Sequence, residues 1–409
     1  MQIERLLAGK IRKGSLLLSF PDGRQRQFGD GEPQAEWRFH DPKALAKIAA
    51  DPEFMLGQTY MDGAWDAGEQ GLLPLLKVLM QNFPAAGDAK ARAWWQLLLK
   101  PIQQWNRLAA SRRNVARHYD LDESLFRHFL DRDMQYSCAY FRSAAMELEA
   151  AQQAKCEHIR RKLLLSHDMK VLDIGCGWGG LAIFLAREAG VRVTGLTLSR
   201  EQYRVASERV QRAGLEGQVE IRLEDYREHS GRYDRIVSVG MFEHVGAPYF
   251  RTYFDHVYGL MRSDGVALIH TIGRTSPPTT TNPWIRRYIF PGGYIPAMSE
   301  AMEAVEKSGL ITADIEVLRL HYARTLAAWQ QRFQLVRDRI AMEKGERFCR
   351  MWEFYLASSE ASFRWRDLVV FQLQLSNALT AVPTTRDYLY RPLRGDADGG
   401  SVVSTMRVV

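Results

Sequence analysis

The sequence predicts an α/β fold with a doubly wound, mostly parallel sheet of seven strands, preceded by a small α+β domain. Three observations predict it. In VLDIGCGWGG, Val171 to Gly180, a short apolar run ends in Asp173 and four glycines follow within six residues. From there to Gly273, apolar runs alternate with amphipathic stretches in a β-α-β-α rhythm. Finally, Asp173, Thr197, Asp225, Glu243 and His270 fall at or near the carboxyl ends of successive predicted strands. Ligands of open parallel sheets bind at that edge.

A chain of 409 residues is long for one domain, and about 2–3 units are expected. No run of about 18 apolar residues offers a membrane span, and MQIERLLAGKIRKG lacks the apolar core of a signal peptide. Cys138, Cys156, Cys176 and Cys349 have no paired spacing, which suits reduced thiols in a cytoplasmic protein rather than disulfides or a zinc site. The net charge of +7 is uneven, since residues 1–118 hold 17 Lys+Arg against 12 Asp+Glu. Between Ala89 and Tyr119 there are seven basic residues and no acid, interleaved with Trp94, Trp95, Trp105 and Leu97-Leu98-Leu99. That mixture suits an anionic membrane surface, or equally a solvated helix face with its tryptophans in the core. No nucleic-acid motif accompanies the charge.

Residues 1–40 read as a helical start, MQIERLLAGKI, and a strand pair, SLLLSF and QRQFGDGEPQAEWRFH, flanking the Pro21-Asp22-Gly23 turn. A helix is expected from Pro42 to the Gly63 turn, and another over GLLPLLKVLMQNF before the break at Pro84 to Gly87. Residues 116–141 are rich in aromatics, with Leu125, Phe126, Phe129 and Leu130 facing inward and Tyr136-Ser137-Cys138-Ala139-Tyr140-Phe141 following. A helix from Met146 to Leu164 leads into the glycine turn.

After that turn, LAIFLAREAG reads as a helix stopped by Gly190. VRVTGLTLS is the second strand, VEIRLEDYRE the third, Arg235 to Val239 the fourth and Gly265 to Gly273 the fifth. Arg274 to Pro296, rich in Pro, Thr and Gly yet carrying Trp284, Tyr288, Ile289 and Phe290, is too apolar for disorder and reads as an ordered lid. A helix over SEAMEAVEKSG, a strand over ITADIEVLRLHY, a helical pair from Ala323 to Phe363 and the strand LVVFQLQLS complete the sheet. The tail from Gly395 reads as disordered.

A glycine-rich turn between strand and helix lets a ligand reach bare backbone at a helix N-terminus. Gly175, Gly177 and Gly180 also satisfy the dinucleotide pattern, which alone is weak. A nicotinamide enzyme should place an acid at the end of the next strand, and VRVTGLTLS has none, although Arg200 leaves a phosphorylated dinucleotide open. Asp173 and Trp178 crowd the turn against a pyrophosphate, and the carboxylate favours a cationic sulfonium, so S-adenosylmethionine is the expected cofactor.

HYDLDESLFRHFL, YSCAYF, LDIGCGWGG, LTLSREQ, MFEHVG, IHTIG and WIRRYIFPGG together resemble the cyclopropane-fatty-acyl-phospholipid synthase family, which includes the mycolic acid cyclopropane synthases. The likeness runs from about His118 to Tyr388, and residues 1–117 resemble the extra N-terminal domain of the bacterial phospholipid enzymes. YSCAYF, FEHVG and YIFPGG are the narrow motifs, whereas DRDMQ departs from the family's Asp-Pro. The resemblance implies a class I methyltransferase-like fold, with a catalytic domain over 118–394, a lid over 274–296 and a tail over 395–409. It implies methylene transfer from S-adenosylmethionine to a cis double bond of an unsaturated phospholipid chain, through a carbocation deprotonated by bound bicarbonate. The bicarbonate positions map onto Cys138, Glu243, His270, Ile272 (main chain) and Tyr322. Tyr136 and Ser137 map to the methionine portion of the cofactor, Asp173, Gly175 and Gly177 to the turn, Thr197 and Gln202 to the ribose, Trp178 alongside the ligand and Asp225 near the adenine amine. No metal is implied. A peripheral protein at the inner membrane face follows, with the N-terminal unit serving lipid docking or a homodimer contact. Each residue also has an ordinary explanation: Cys138 and Tyr322 as core side chains, Glu243 as a helix cap and His270 as a satisfied core histidine. A methyl- or methylene-branched product from the same cation is the alternative outcome.

Overall fold

The computed structural model describes Leu7 and residues 9–83 and 123–390. The basic, tryptophan-rich stretch of residues 89–119, the junction at 117/118 and the tail lie outside the described residues.

The N-terminal lobe contains strands β1 (Ser15–Ser19), β2 (Gln25–Phe28) and β3 (Gln34–Phe39), helices α1 (Ala44–Ala50) and α2 (Pro52–Met61), strand β4 (Trp65–Ala67) and helix α3 (Leu72–Asn82). The sheet order is β2-β1-β3-β4, with β1 parallel to β3, so the expected strand pair is three strands closed by a fourth. The single helix expected between Pro42 and Gly63 is two. Asp51 leaves the helical region (φ -145, ψ 80) and caps the Phe54 N–H at 3.3 Å, and Pro52 starts the second helix where its missing donor costs nothing.

The larger C-terminal lobe opens with α4 (Glu123–Phe129) and α5 (Leu148–Lys162). Then come β5 (Lys170–Ile174), α6 (Gly180–Ala189), β6 (Arg192–Thr197), α7 (Arg200–Arg212), β7 (Val219–Leu223), β8 (Tyr233–Val239), α8 (Phe250–Leu260) and β9 (Met261–Arg274). It ends with α9 (Pro283–Tyr288), α10 (Met298–Ser308), β10 (Ile311–Val317), α11 (His321–Lys344), α12 (Glu346–Trp365) and β11 (Leu368–Ser376). The expected seven-stranded sheet is present in the order β10-β11-β9-β8-β5-β6-β7. Its strands are parallel except β11, which runs antiparallel between β9 and β10. Gly190 stops α6 in the left-handed region, and the Ser199 side chain caps α7 by accepting the Gln202 N–H at 3.2 Å.

The two lobes share one apolar core, in which Trp37, Trp65 and Leu75 are continuous with Trp284, Trp352 and Phe354. Gly57 of α2 lies so close to the lid that a β-carbon there would meet the Trp284 indole at 2.7 Å and Phe354 at 2.8 Å. Arg350 of α12 donates to the Tyr60 carbonyl at 2.5 Å and the Trp65 carbonyl at 2.7 Å. The expected lid is ordered. Asn282 caps α9, Tyr288 Oη donates to Gln58 Oε1 at 2.5 Å, and Trp284, Ile289 and Tyr294 are buried.

Candidate active site

The glycine turn after β5 forms one wall of a cavity at the carboxyl edge of the sheet. Gly175 has φ +86, and a β-carbon there would meet Met241 at 2.8 Å, so only glycine fits without strain. Tyr136, Ser137, Asp173, Gly175, Gly177, Trp178, Thr197 and Gln202 all line this cavity. Thr197 Oγ1 and Gln202 Oε1 are 2.8 Å apart, with the hydroxyl donating. Asp225 departs from the expected placement. Its carboxylate takes both ends of the Arg227 guanidinium at 2.9 and 2.7 Å, and Glu224, Tyr226 and Arg227 line the wall instead. Paired in this way two residues along the same loop, it has little left for a ligand.

Asp173 is buried, and neither of its carboxylate oxygens has a hydrogen-bond partner among the described residues. Burial pushes its pKa up to about 7, against the opposing pull of Lys155. The Trp178 indole N–H is also buried without a partner among the described residues. Of these unpaired buried groups lining the cavity, Asp173 asks for a ligand that supplies donors and positive charge, and the Trp178 N–H asks for an acceptor. A cationic, amine-bearing ligand that also carries acceptor oxygens fits both demands.

None of the five residues expected to hold an anion lines this cavity, but Cys138 follows Ser137 and Glu243 precedes His244, which do, and the His270 carbonyl accepts from the lining Gly240 N–H at 2.9 Å. Glu243 sits on a 3₁₀ turn after β8, where Oε1 accepts the Ile272 N–H at 2.6 Å and Oε2 is buried without a partner among the described residues. Burial raises its pKa to about 7. His270 precedes Ile272 by two residues on β9, so both side chains leave the same face. Its Nε2 is likewise buried and unpartnered among the described residues, and burial lowers the ring's pKa to about 3, leaving a neutral imidazole. The Cys138 thiol is fully buried, which raises its pKa and keeps it protonated. The Cys138 segment is tied to the first turn of α11, where Tyr322 sits. Ala139 N–H donates to Thr325 Oγ1 at 3.0 Å and Phe141 N–H to His321 Nδ1 at 2.9 Å. Tyr322 packs against Phe363 with ring centres 4.9 Å apart. The structure thus joins Glu243 to Ile272, and Cys138 to the turn carrying Tyr322.

Residues 106–373 match the family described as mycolic acid cyclopropane synthetase, and residues 5–81 match a domain of unknown function. The chain is 38% identical over 352 residues to a cyclopropane-fatty-acyl-phospholipid synthase of Escherichia coli, spanning 86% of this chain and 90% of that protein. The chain belongs to the mycolic acid cyclopropane synthetase family. It is an S-adenosylmethionine-dependent methyltransferase, and further relatives resemble it over much of its length. A tuberculostearic acid methyltransferase of Mycobacterium tuberculosis is 38% identical over 394 residues, covering 91% of this chain and 90% of that one. Among solved structures, a cyclopropane synthase of M. tuberculosis superposes with a TM-score of 0.62 at 32% identity, covering 65% of this chain and 98% of the other. A mycolic acid cyclopropane synthase complexed with SAH and CTAB gives 0.62 at 31% identity, covering 65% and 98%.

Within this family frame, the site contains residues that the sequence reading passed over. Lys155 of α5 is fully buried and donates to Gln135 Oε1 at 2.5 Å and Ser137 Oγ at 2.9 Å, both on cavity-lining residues. Arg209 of α7 donates to the Trp178 carbonyl at 2.7 Å and the Asp133 carbonyl at 3.1 Å, pinning the glycine turn to the loop before Tyr136. Gln372 of β11 meets the other ring nitrogen of His270 at 3.1 Å. The two glutamines in LVVFQLQLS were the available signal for the last, since polar residues inside an apolar strand need partners.

Proposed function

We propose that this enzyme transfers a methylene group from S-adenosylmethionine to the cis double bond of a phospholipid acyl chain, closing a cyclopropane ring. The cofactor supplies an electrophilic methyl on a sulfonium. Asp173 offers it a carboxylate, Gly175 and Gly177 offer bare backbone, and Thr197 with Gln202 offer hydroxyl and amide partners for a ribose. The alkene is a weak nucleophile, so the chain must exclude water and hold it close. The lid supports that role with Trp284, Ile289 and Phe290, the last packed on Tyr355 at 5.8 Å and on His244 at 6.0 Å. Attack leaves a carbocation, which loses a proton from the new methyl as the ring closes.

Bicarbonate, when bound, supplies the base for that proton. The observation that carries this reading is that Glu243 Oε2 and His270 Nε2 are both buried without a partner among the described residues. Two anions repel in a dry pocket unless a proton is shared, so Glu243 accepts the hydroxyl hydrogen of bicarbonate while His270 and Tyr322 donate to its oxygens. Cys138 is a weaker hydrogen-bonding group, and the Ile272 N–H already serves Glu243. In keeping with this, Glu243→Gln is expected to lower turnover strongly with cofactor affinity intact, and Cys138→Ser to be milder. The test incubates the protein with labelled S-adenosylmethionine and vesicles of unsaturated phospholipid, with and without bicarbonate, and analyses the acyl chains by mass spectrometry. Full activity without bicarbonate, or a Glu243→Gln enzyme as active as wild type, would remove the mechanism.

A second product is favoured by a specific finding: the 38% identity to a tuberculostearic acid methyltransferase extends over nearly the whole chain. In the same cation, a 1,2-hydride shift moves the positive charge onto the carbon that bears the new methyl. Loss of a methyl proton then gives a methylene branch, and reduction of that double bond by an external hydride donor with a proton gives a methyl branch. Proton NMR of the product lipid separates the two by the upfield ring protons.

A further inference from the structure

β11 is the one antiparallel strand inserted in the sheet, and its register with β9 sets Gln372 directly opposite His270. Both side chains are buried, Gln372 at 0% and His270 at 2% exposure. Gln372 Nε2 lies 3.1 Å from His270 Nδ1. An amide nitrogen can donate but not accept, so Nδ1 is the acceptor and the single proton of the neutral ring stands on Nε2. The reverse amide orientation would require the proton on Nδ1. It would leave a bare lone pair on the buried Nε2, which no donor among the described residues meets. Only the first arrangement makes the ring itself a donor to the site.

The second glutamine of the strand gives the contrast. Gln374 donates to the Lys162 carbonyl at 2.6 Å and exchanges hydrogen bonds with Tyr388 Oη at 3.0 and 3.1 Å, so its amide is satisfied by structure alone. Gln372 instead keeps Oε1 buried without a partner among the described residues. An aliphatic side chain would avoid that desolvation cost.

From this we infer that Gln372 is a positioning residue for methyl transfer, holding His270 in the tautomer that presents an N–H from Nε2 to an oxyanion in the site. The oxyanion rests on the bicarbonate reading above; the tautomer does not. Gln372 touches neither substrate nor cofactor in this role and acts only through the ring.

Two-bond ¹H–¹⁵N correlation spectra of ¹⁵N-labelled protein read the tautomer directly, with the H270Q spectrum assigning the His270 signals. The expected wild-type pattern is a protonated Nε2 and a lone pair on Nδ1; a proton on Nδ1 overturns the inference without any variant having to fold. Q372M, close in length but unable to donate, is then expected to shift His270 toward a mixture of tautomers. Its turnover should fall about ten-fold or more, with a raised half-saturating bicarbonate concentration and an S-adenosylmethionine Kd within about two-fold of wild type. A Q372M protein with wild-type melting temperature, turnover and bicarbonate dependence would overturn it as well. Wild-type turnover indifferent to bicarbonate would overturn the anion reading instead, and the tautomer would still stand or fall by its own spectrum.

Discussion

Asp173 is a carboxyl group that folding leaves without partners, so its ionisation and ligand binding are coupled. With a pKa near 7 in the free protein, it is largely protonated at pH 6 and largely ionised at pH 8. A cationic ligand prefers the ionised form, so affinity for S-adenosylmethionine is expected to rise with pH and level off above about 8, with a limiting slope of about ten-fold per pH unit below 6. Asp173→Asn should flatten the profile and lower affinity at pH 8 by about 1.5–3 kcal/mol, as expected for a lost hydrogen bond to a charged group. Titration calorimetry at pH 6, 7 and 8 checks both, and a wild-type affinity independent of pH would contradict the assignment. The same raised pKa opposes folding. The group's contribution to stability is fully present below the unfolded carboxyl pKa of about 4 and is lost as pH rises through 7. Asp173 was legible as a site residue because it stands at a strand end before the glycine turn. Lys155 was not, because nothing in a helix sequence distinguishes a lysine that turns inward under Gln135 and Ser137 from one that faces water.

At the scale of elements, the lid depends on a helix of six residues, too short to hold itself together. Asn282 supports it at both levels: its Oδ1 accepts from the N–H groups of Trp284 and Ile285 at 3.0 and 3.1 Å, and its Nδ2 donates to the Glu53 carbonyl at 3.2 Å. Asn282→Ala should cost about 1 kcal/mol in stability. It should also lower turnover on phospholipid while the S-adenosylmethionine Kd stays put, since α9 does not line the cofactor cavity. Steady-state kinetics beside calorimetry separate the two effects, and an unchanged turnover would leave the lid without a catalytic part. The strands and helices of the sheet were legible because their apolar periods differ. The break between α1 and α2 was legible in Asp51-Pro52, a capping residue followed by a proline suited to a first helical position, and reading one helix through it missed that signal. Arg227's capture of Asp225 was illegible, because a bidentate pair two residues apart depends on the turn after β7.

For the whole molecule, the shared core of the two lobes predicts a single cooperative thermal transition. Scanning calorimetry should show one peak, and two well-separated peaks would mean that the contacts of Gly57 and Arg350 carry little coupling. No helix among the described residues is long and apolar enough to cross a membrane. If residues 89–119 dock on anionic lipid, Arg112→Glu with Arg113→Glu should reduce vesicle co-sedimentation, and salt should weaken binding of the wild type. Indifference to both would leave the packed-helix reading of that stretch. The insertion of β11 between β9 and β10 also governs when the enzyme can first work during its own synthesis. His270 waits for a partner that lies 102 residues further along the chain. A ribosome has therefore made every glycine of the cofactor turn, and the entire lid, well before the strand that orients the ring can enter the sheet. Nascent chains arrested before Leu368 lack both the strand that orients the imidazole and a buried part of the apolar cores, so catalytic competence arrives with the last strand of the sheet to be translated.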